Sequence, residues 1–134
     1  MNKNDLNSRL QELGIYNDFY YRKEMKPLYQ VLYDWERVNC IFTGVNQGYR
    51  KLVAITEIRI IIIFAATLGA SDIKVIRRSA VRNYGYEKKL LFGSAFIETE
   101  SERLDFTNTQ RGLKELFDWA MTRPIPESSS SQED

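Results

Sequence analysis

The most apolar part of the chain is residues 48–64, in which two β-branched runs are separated by one polar pair. The runs are 52–55 and 58–64, and Thr56-Glu57 lies between them. Runs of this length, interrupted by a short polar step, are typical of consecutive strands joined by a tight turn. We therefore predict a central β-hairpin that the rest of the chain covers or supports.

Shorter alternating segments before and after this hairpin predict further strands. They comprise residues 38–45, 72–77, 81–88, 94–99 and 103–107. Residues 46–48 and 90–93 are interpreted as turns between strands. Short strands that recur about every 8–12 residues favour an all-β sandwich or barrel. A capping box at 107–110 then predicts a C-terminal helix that plugs one open end, with an apolar face formed by Leu113, Leu116, Phe117, Ala120 and Met121.

The N-terminal part has helical periodicity instead. Leu6, Leu10 and Leu13 form one apolar stripe and predict a short helix over 5–13, ended by Gly14. A second helix is predicted over 26–37, with Pro27 in its first turn. Its apolar face comprises Leu28, Leu32 and Trp35, and Tyr29 and Tyr33 form a second, amphipathic face. Both helices therefore carry apolar surface that must be buried.

These patterns divide the chain into three parts and predict a mainly β (α+β) fold. Residues 1–37 form an N-terminal helical segment, residues 38–123 a β domain, and residues 124–134 a polar tail that we expect to be disordered. A chain of 134 residues, 43% of them hydrophobic, is long enough to build one core without disulfides or a metal.

Composition narrows the chemistry that the chain can carry. It has no histidine, which excludes histidine-dependent catalysis, and one cysteine, Cys40, which we interpret as a buried structural thiol. A single cysteine and a polar N-terminus predict a cytoplasmic protein. The apolar run 60–70 is too short to span a bilayer. The middle of the chain is basic and the end acidic, but the formal net charge is only +1, so we do not expect nucleic acid as a partner.

Three local patterns occur in this order of elements: GYRKLVAITEIRIIIIF at 48–64, DIKVI at 72–76 and LKELFDWA at 113–120. Together they resemble the bacterial pleckstrin-homology-like (PH-like) domain family over residues 36–123. The resemblance implies a bent barrel of about seven antiparallel strands, closed by the C-terminal helix. It also implies a binding or assembly module, often oligomeric, and not an enzyme. The segment 1–37 is longer than the family pattern requires, so the resemblance gives it no role.

A surplus of apolar surface indicates where such a module would make contacts. In 60–64 both strand faces are apolar, whereas a barrel interior needs only one. Ile61 and Ile63 must therefore be covered by the N-terminal helices or by another subunit. We predict an interface that includes Ile61, Ile63, Tyr29 and Tyr33, formed by self-association or with an unidentified protein partner.

The alternative function is binding of an anionic lipid or phosphate through Arg50, Lys51, Arg77 and Arg78. Arg50 and Lys51 follow the turn 46–48, where eukaryotic relatives of the PH fold bind lipid phosphates. That turn is itself uncharged in this chain. A third hypothesis, an enzyme with a carboxylate site, has no substrate class to support it. The acidic residues Glu98, Glu100, Glu102 and Asp105 are interpreted as a solvated hairpin, and we predict no metal and no cofactor.

Overall fold

A computed structural model of the chain describes residues 2–66 and 69–126. Within them, seven strands form one antiparallel sheet of order β4-β3-β2-β1-β7-β6-β5, which confirms the mainly β expectation. The strands are β1 (Val38–Asn46), β2 (Tyr49–Thr56), β3 (Arg59–Phe64), β4 (Asp72–Arg77), β5 (Val81–Lys88), β6 (Gly93–Thr99) and β7 (Arg103–Thr109). The helices are α1 (Lys3–Glu12), α2 (Tyr16–Phe19), α3 (Met25–Val31) and α4 (Lys114–Thr122).

The central hairpin is formed by β2 and β3, and its turn consists of Glu57 and Ile58, one residue later than predicted. The hydroxyl of Thr56 fixes this turn because it accepts hydrogen bonds from the backbone N–H groups of Ile58 (3.2 Å) and Arg59 (2.9 Å). The preceding β1–β2 turn consists of Gln47 and Gly48, with φ of 54° and 83°. Two consecutive positive φ values match the twist of a two-residue hairpin loop.

The sheet curls but does not close. The edge strands β4 and β5 are separated in sequence only by a 3-10 turn, Arg78–Ala80. That connection is short, so one end of β4 must lie near one end of β5 although they occupy opposite edges. No ladder joins these two strands in the part of the chain that the structure describes. The result is a bent sheet with a concave face and an open seam.

Two apolar cores lie on opposite faces of the sheet. On the concave face α4 inserts Phe117, whose ring contacts the rings of Phe42 (5.9 Å), Tyr86 (6.0 Å) and Tyr84 (6.2 Å). On the convex face the N-terminal helices cover β1, β2 and β3. The predicted C-terminal helix therefore does cover the concave face.

Two details of the helix predictions are wrong. The second N-terminal helix ends at Val31 and not at residue 37, because Leu32 is extended and the segment after it is bonded to the sheet. The capping box at 107–110 does not form, because β7 continues to Thr109 and α4 begins only at Lys114. The Gln110 side chain instead accepts from the N–H of Thr43 (3.1 Å).

No helix within residues 2–66 and 69–126 is long and apolar enough to cross a bilayer. The described part of the chain ends at residue 126, so most of the tail predicted at 124–134 lies outside it.

Candidate interaction surfaces

The surplus apolar face of β3 is covered by the N-terminal segment of the same chain. Ile61 and Ile63 are fully buried in a cluster with residues of all three N-terminal helices. Those helical residues are Leu6, Leu10, Phe19, Met25 and Leu28. The interface predicted at Ile61 and Ile63 is therefore not exposed in the folded chain, and segment 1–37 packs on its own sheet.

A buried ion pair fastens this segment to the central hairpin. Both carboxylate oxygens of Glu36 accept from the guanidinium of Arg59, at 2.8 Å from Nε and 2.6 Å from Nη2. The same carboxylate accepts from the hydroxyl of Thr56 (2.7 Å), and Glu36 is fully buried. A second arginine, Arg9 of α1, donates to the carbonyl of Val38 (2.6 Å). Both contacts join the helical segment to the sheet.

The two tyrosines predicted at an interface have different environments. Tyr29 is half-buried against the convex core. Tyr33 remains exposed; its ring stacks on Trp35 (5.2 Å between centroids) and lies 4.3 Å from the guanidinium of Arg59. Of the four residues in the predicted interface, only Tyr33 therefore presents a large exposed ring.

The four basic residues predicted to bind an anion do not form one site. Arg50 and Lys51 lie near the start of β2, whereas Arg77 is opposite Arg59 of β3, which lies at the other end of β2. Lys51 is five positions from Thr56, the last residue of β2, which is about 17 Å along the strand. A single phosphate group cannot contact both pairs.

Arg78 has a structural role instead. Its side chain is buried and donates to three backbone carbonyls, those of Glu57 (2.7 Å), Met121 (3.1 Å) and Arg123 (2.6 Å). Burial lowers the pKa of this guanidinium from its ordinary value. Arg78 therefore ties the end of α4 to the central hairpin and does not face a ligand.

Two acidic residues of the connection between β6 and β7 are paired with cations. Glu102 binds Lys74 of β4 (3.0 Å), and Glu100 binds Arg82 of β5 (3.1 Å). The first of these pairs crosses the open seam of the sheet. Among the described residues, no group of three or more metal-ligating side chains comes together.

An open cleft of about 550 Å³ lies beside this seam, near the β1–β2 turn. Its charged lining consists of Lys51, Lys74, Asp72 and Glu102. Lys74 is paired with Glu102, and Lys51 donates to the side-chain oxygen of Asn46 (2.8 Å). Because its positive and negative groups are balanced, the cleft offers no excess charge to an anion.

The outer edge of β4 is an exposed surface with both apolar side chains and backbone groups. The N–H of Arg78 donates to the carbonyl of Ile58 (2.8 Å), which makes this a hydrogen-bonded pair. Hydrogen-bonded and non-hydrogen-bonded pairs alternate in antiparallel sheets, so the N–H and C=O groups of Ile73 and Val75 point away from β3. Their side chains are 42% and 44% exposed.

A second exposed apolar surface is the tip of the β5–β6 hairpin, residues 88–93, here called the β5–β6 tip. Leu90, Leu91 and Phe92 are 90%, 61% and 51% exposed, and Lys88 and Lys89 precede them. The sequence pattern predicts only a turn at 90–93. The signal for this exposed surface is a run of three large apolar residues within a turn, where polar residues are usual.

The chain matches no protein-family model and no curated protein sequence.

Proposed function

We propose that this protein is a non-catalytic, PH-like interaction module that associates with a second copy of itself through the open edge of β4. The observation that carries this proposal is that Ile73 and Val75 expose both side chains and backbone hydrogen-bonding groups along one edge.

The PH-like assignment is supported by strand order and by the position of the last helix. Strands β1 to β4 form one meander, β5 to β7 form another, and β7 returns to pair with β1. The C-terminal helix α4 then packs into the concave face. The resemblance implies a bent barrel of about seven antiparallel strands with a C-terminal capping helix, and the curled seven-stranded sheet covered by α4 supports it.

The position of Ile73 and Val75 relative to the helical layer supports an interface there. Val75 is opposite Ile61, and Ile73 is opposite Ile63, so all four side chains lie on the convex face. The N-terminal helices bury the β3 pair completely but leave the β4 pair nearly half exposed. The apolar surface that motivated an interface therefore extends beyond the helices at the sheet edge.

An unpaired strand edge can associate with a second strand through backbone hydrogen bonds. Two copies of β4 that pair antiparallel around Lys74 place Ile73 of one copy opposite Val75 of the other. Such a pairing is isologous, because each contact occurs twice about a two-fold axis. Both apolar side chains would then be covered, and the convex face would continue from one subunit to the next.

Sedimentation velocity over a range of concentrations tests the proposal. Val75→Pro removes an N–H that points out of the sheet, a position where a strand tolerates proline, so it should give a folded monomer. Ile73→Lys/Val75→Lys should do the same by placing charges at the contact. Asn83→Lys, an exposed position on the other edge strand β5, is the matched control and should leave the dimer intact. A wild-type chain that stays monomeric at every concentration refutes the proposal.

A further inference from the structure

We propose that the β5–β6 tip is a membrane-docking element, in which Leu90, Leu91 and Phe92 insert into the interface of an anionic bilayer. Lys88, Lys89 and Arg111 would contact the lipid headgroups. This surface is separate from the β4 edge, and its function does not depend on self-association.

The shape of the tip is the first reason. The strands end at Lys88 and Gly93, and the N–H of Lys89 donates to the carbonyl of Phe92 (3.0 Å), which closes a compact four-residue turn. The three apolar side chains project from this turn into solvent, and Leu90 is almost completely exposed. A contiguous exposed apolar surface of this kind marks a site of contact with a protein or a membrane.

The charge around the tip is the second reason. Lys88, Lys89 and Arg111 line one shallow depression together with Leu90 and Phe92. No carboxylate forms an ion pair with these three cations within residues 2–66 and 69–126. The neighbouring Glu87 lies on the opposite face of β5 from Lys88, because side chains alternate along a strand. The apolar tip is therefore bordered by cations that are available to a negatively charged surface.

The base of the tip is held rigidly to the rest of the protein. The hydroxyl of Tyr86 hydrogen-bonds to the hydroxyl of Thr109 (2.9 Å) and to the carbonyl of Gln110 (3.3 Å). A Cβ atom at Gly93 would lie 2.0 Å from the Tyr86 hydroxyl, so the glycine permits this close approach. These contacts hold the turn next to the loop that carries Arg111, which keeps apolar and basic groups on one side of the molecule.

An anionic bilayer is the occupant that these features favour. A protein partner would need a shaped pocket for three large side chains, with carboxylates placed around it. A bilayer interface provides an apolar layer and negative headgroups without a requirement for shape. Insertion of apolar side chains with flanking lysines at headgroup level is how peripheral segments bind such membranes.

Vesicle flotation with the full chain tests this inference. We expect binding to phosphatidylcholine vesicles that contain phosphatidylserine, and weak binding to phosphatidylcholine alone. Lys88→Gln/Lys89→Gln should weaken binding about twenty-fivefold, since each cation near an anionic surface contributes roughly fivefold. Lys23→Gln/Lys26→Gln, two exposed lysines of the N-terminal segment, is the matched control and should bind as the wild type does. Leu90→Ser/Leu91→Ser/Phe92→Ser should abolish binding.

A fluorescent label measures insertion directly and does not depend on the triple variant being folded. Cys40 is fully buried, so a new surface cysteine can be labelled selectively. A polarity-sensitive dye on Leu91→Cys should shift to the blue with anionic vesicles, whereas the same dye on Asn83→Cys, farther along β5, should not.

The inference is overturned by no binding of the wild type to anionic vesicles, by equal binding to neutral vesicles, or by no shift at residue 91. Loss of self-association, without loss of vesicle binding, in the tip variant would also overturn it by assigning the tip to a second copy. The β4-edge variant Ile73→Lys/Val75→Lys separates the two proposals. It should lose self-association and retain vesicle binding.

Discussion

Replacement of Glu36 by alanine removes the carboxylate that joins the N-terminal segment to the sheet. In the native protein this carboxylate accepts hydrogen bonds from Arg59 at two positions and from the hydroxyl of Thr56. It also accepts from the backbone N–H of Tyr33 (3.2 Å). In Glu36→Ala the guanidinium of Arg59 stays buried but loses its counter-ion. It retains its hydrogen bond to the carbonyl of Val31 (2.9 Å) and its contact with the Tyr33 ring.

The size of the expected effect follows from the burial of both partners. Removing one partner of a buried ion pair costs about 3–5 kcal/mol, because a charge is left in an apolar environment without compensation. Glu36 is fully buried and Arg59 is 6% exposed, so we expect loss of the carboxylate contacts alone to cost an amount in the upper part of this range. The remaining contacts of Arg59 offset part of the cost. We therefore expect Glu36→Ala to lower the free energy of unfolding by about 3–4 kcal/mol.

Urea unfolding followed by circular dichroism measures this change. The matched control is Asp118→Ala, which removes the surface ion pair between Lys114 and Asp118 (2.9 Å) and should cost about 0.5 kcal/mol or less. Glu36→Met/Arg59→Met removes both charges, so it should be more stable than Glu36→Ala alone. If Glu36→Ala lowers the free energy of unfolding no more than the Asp118→Ala control does, the ion pair does not hold the N-terminal segment on the sheet.

Three further changes test the packing of the sheet. Deletion of residues 1–37 uncovers the convex face around Ile61, so light scattering should detect aggregates in place of a defined species. Gly44→Ala puts a Cβ 2.8 Å from the Cβ of Phe106, and thermal unfolding should show a loss of about 1–3 kcal/mol. Burial raises the pKa of the Cys40 thiol in the folded protein. The buried, protonated thiol therefore contributes its full stabilisation below about pH 8.5, the pKa of a cysteine in the unfolded chain, and less above that pH. Relative to Cys40→Ala, the wild type should lose stability above that pH by up to about 1.4 kcal/mol per pH unit.

The strands could be predicted from the sequence because their signals are local. The runs 52–55 and 58–64 lie within β2 and β3 apart from one residue, and the bounds predicted for β4 and β5 are those of the structure. β-Branched runs and alternation depend only on neighbouring residues, so no tertiary information is needed to recognise them.

The ends of the helices were predicted less well because tertiary contacts decide them. The periodicity of 26–37 is helical, but the chain leaves the helix at Leu32 so that Glu36 can reach Arg59. Residues 107–110 match a capping box, but Gln110 bonds to β1 instead of to the helix start. In each case one polar side chain has a partner more than twenty residues away, and no local pattern indicates that partner.

The candidate surfaces were harder still, because exposure depends on where the N-terminal layer stops. The sequence indicated that β3 has a surplus apolar face but could not distinguish Ile61 and Ile63 from Ile73 and Val75. These two pairs lie side by side on the same face of adjacent strands. The helical layer buries the first pair and leaves the second pair exposed at an open edge. The apolar surface that a partner can contact is therefore on β4 and not, as the sequence predicts, on β3. The length of the helical segment thus determines which strand is available to a partner, and a change in that segment should alter self-association without any change in β4.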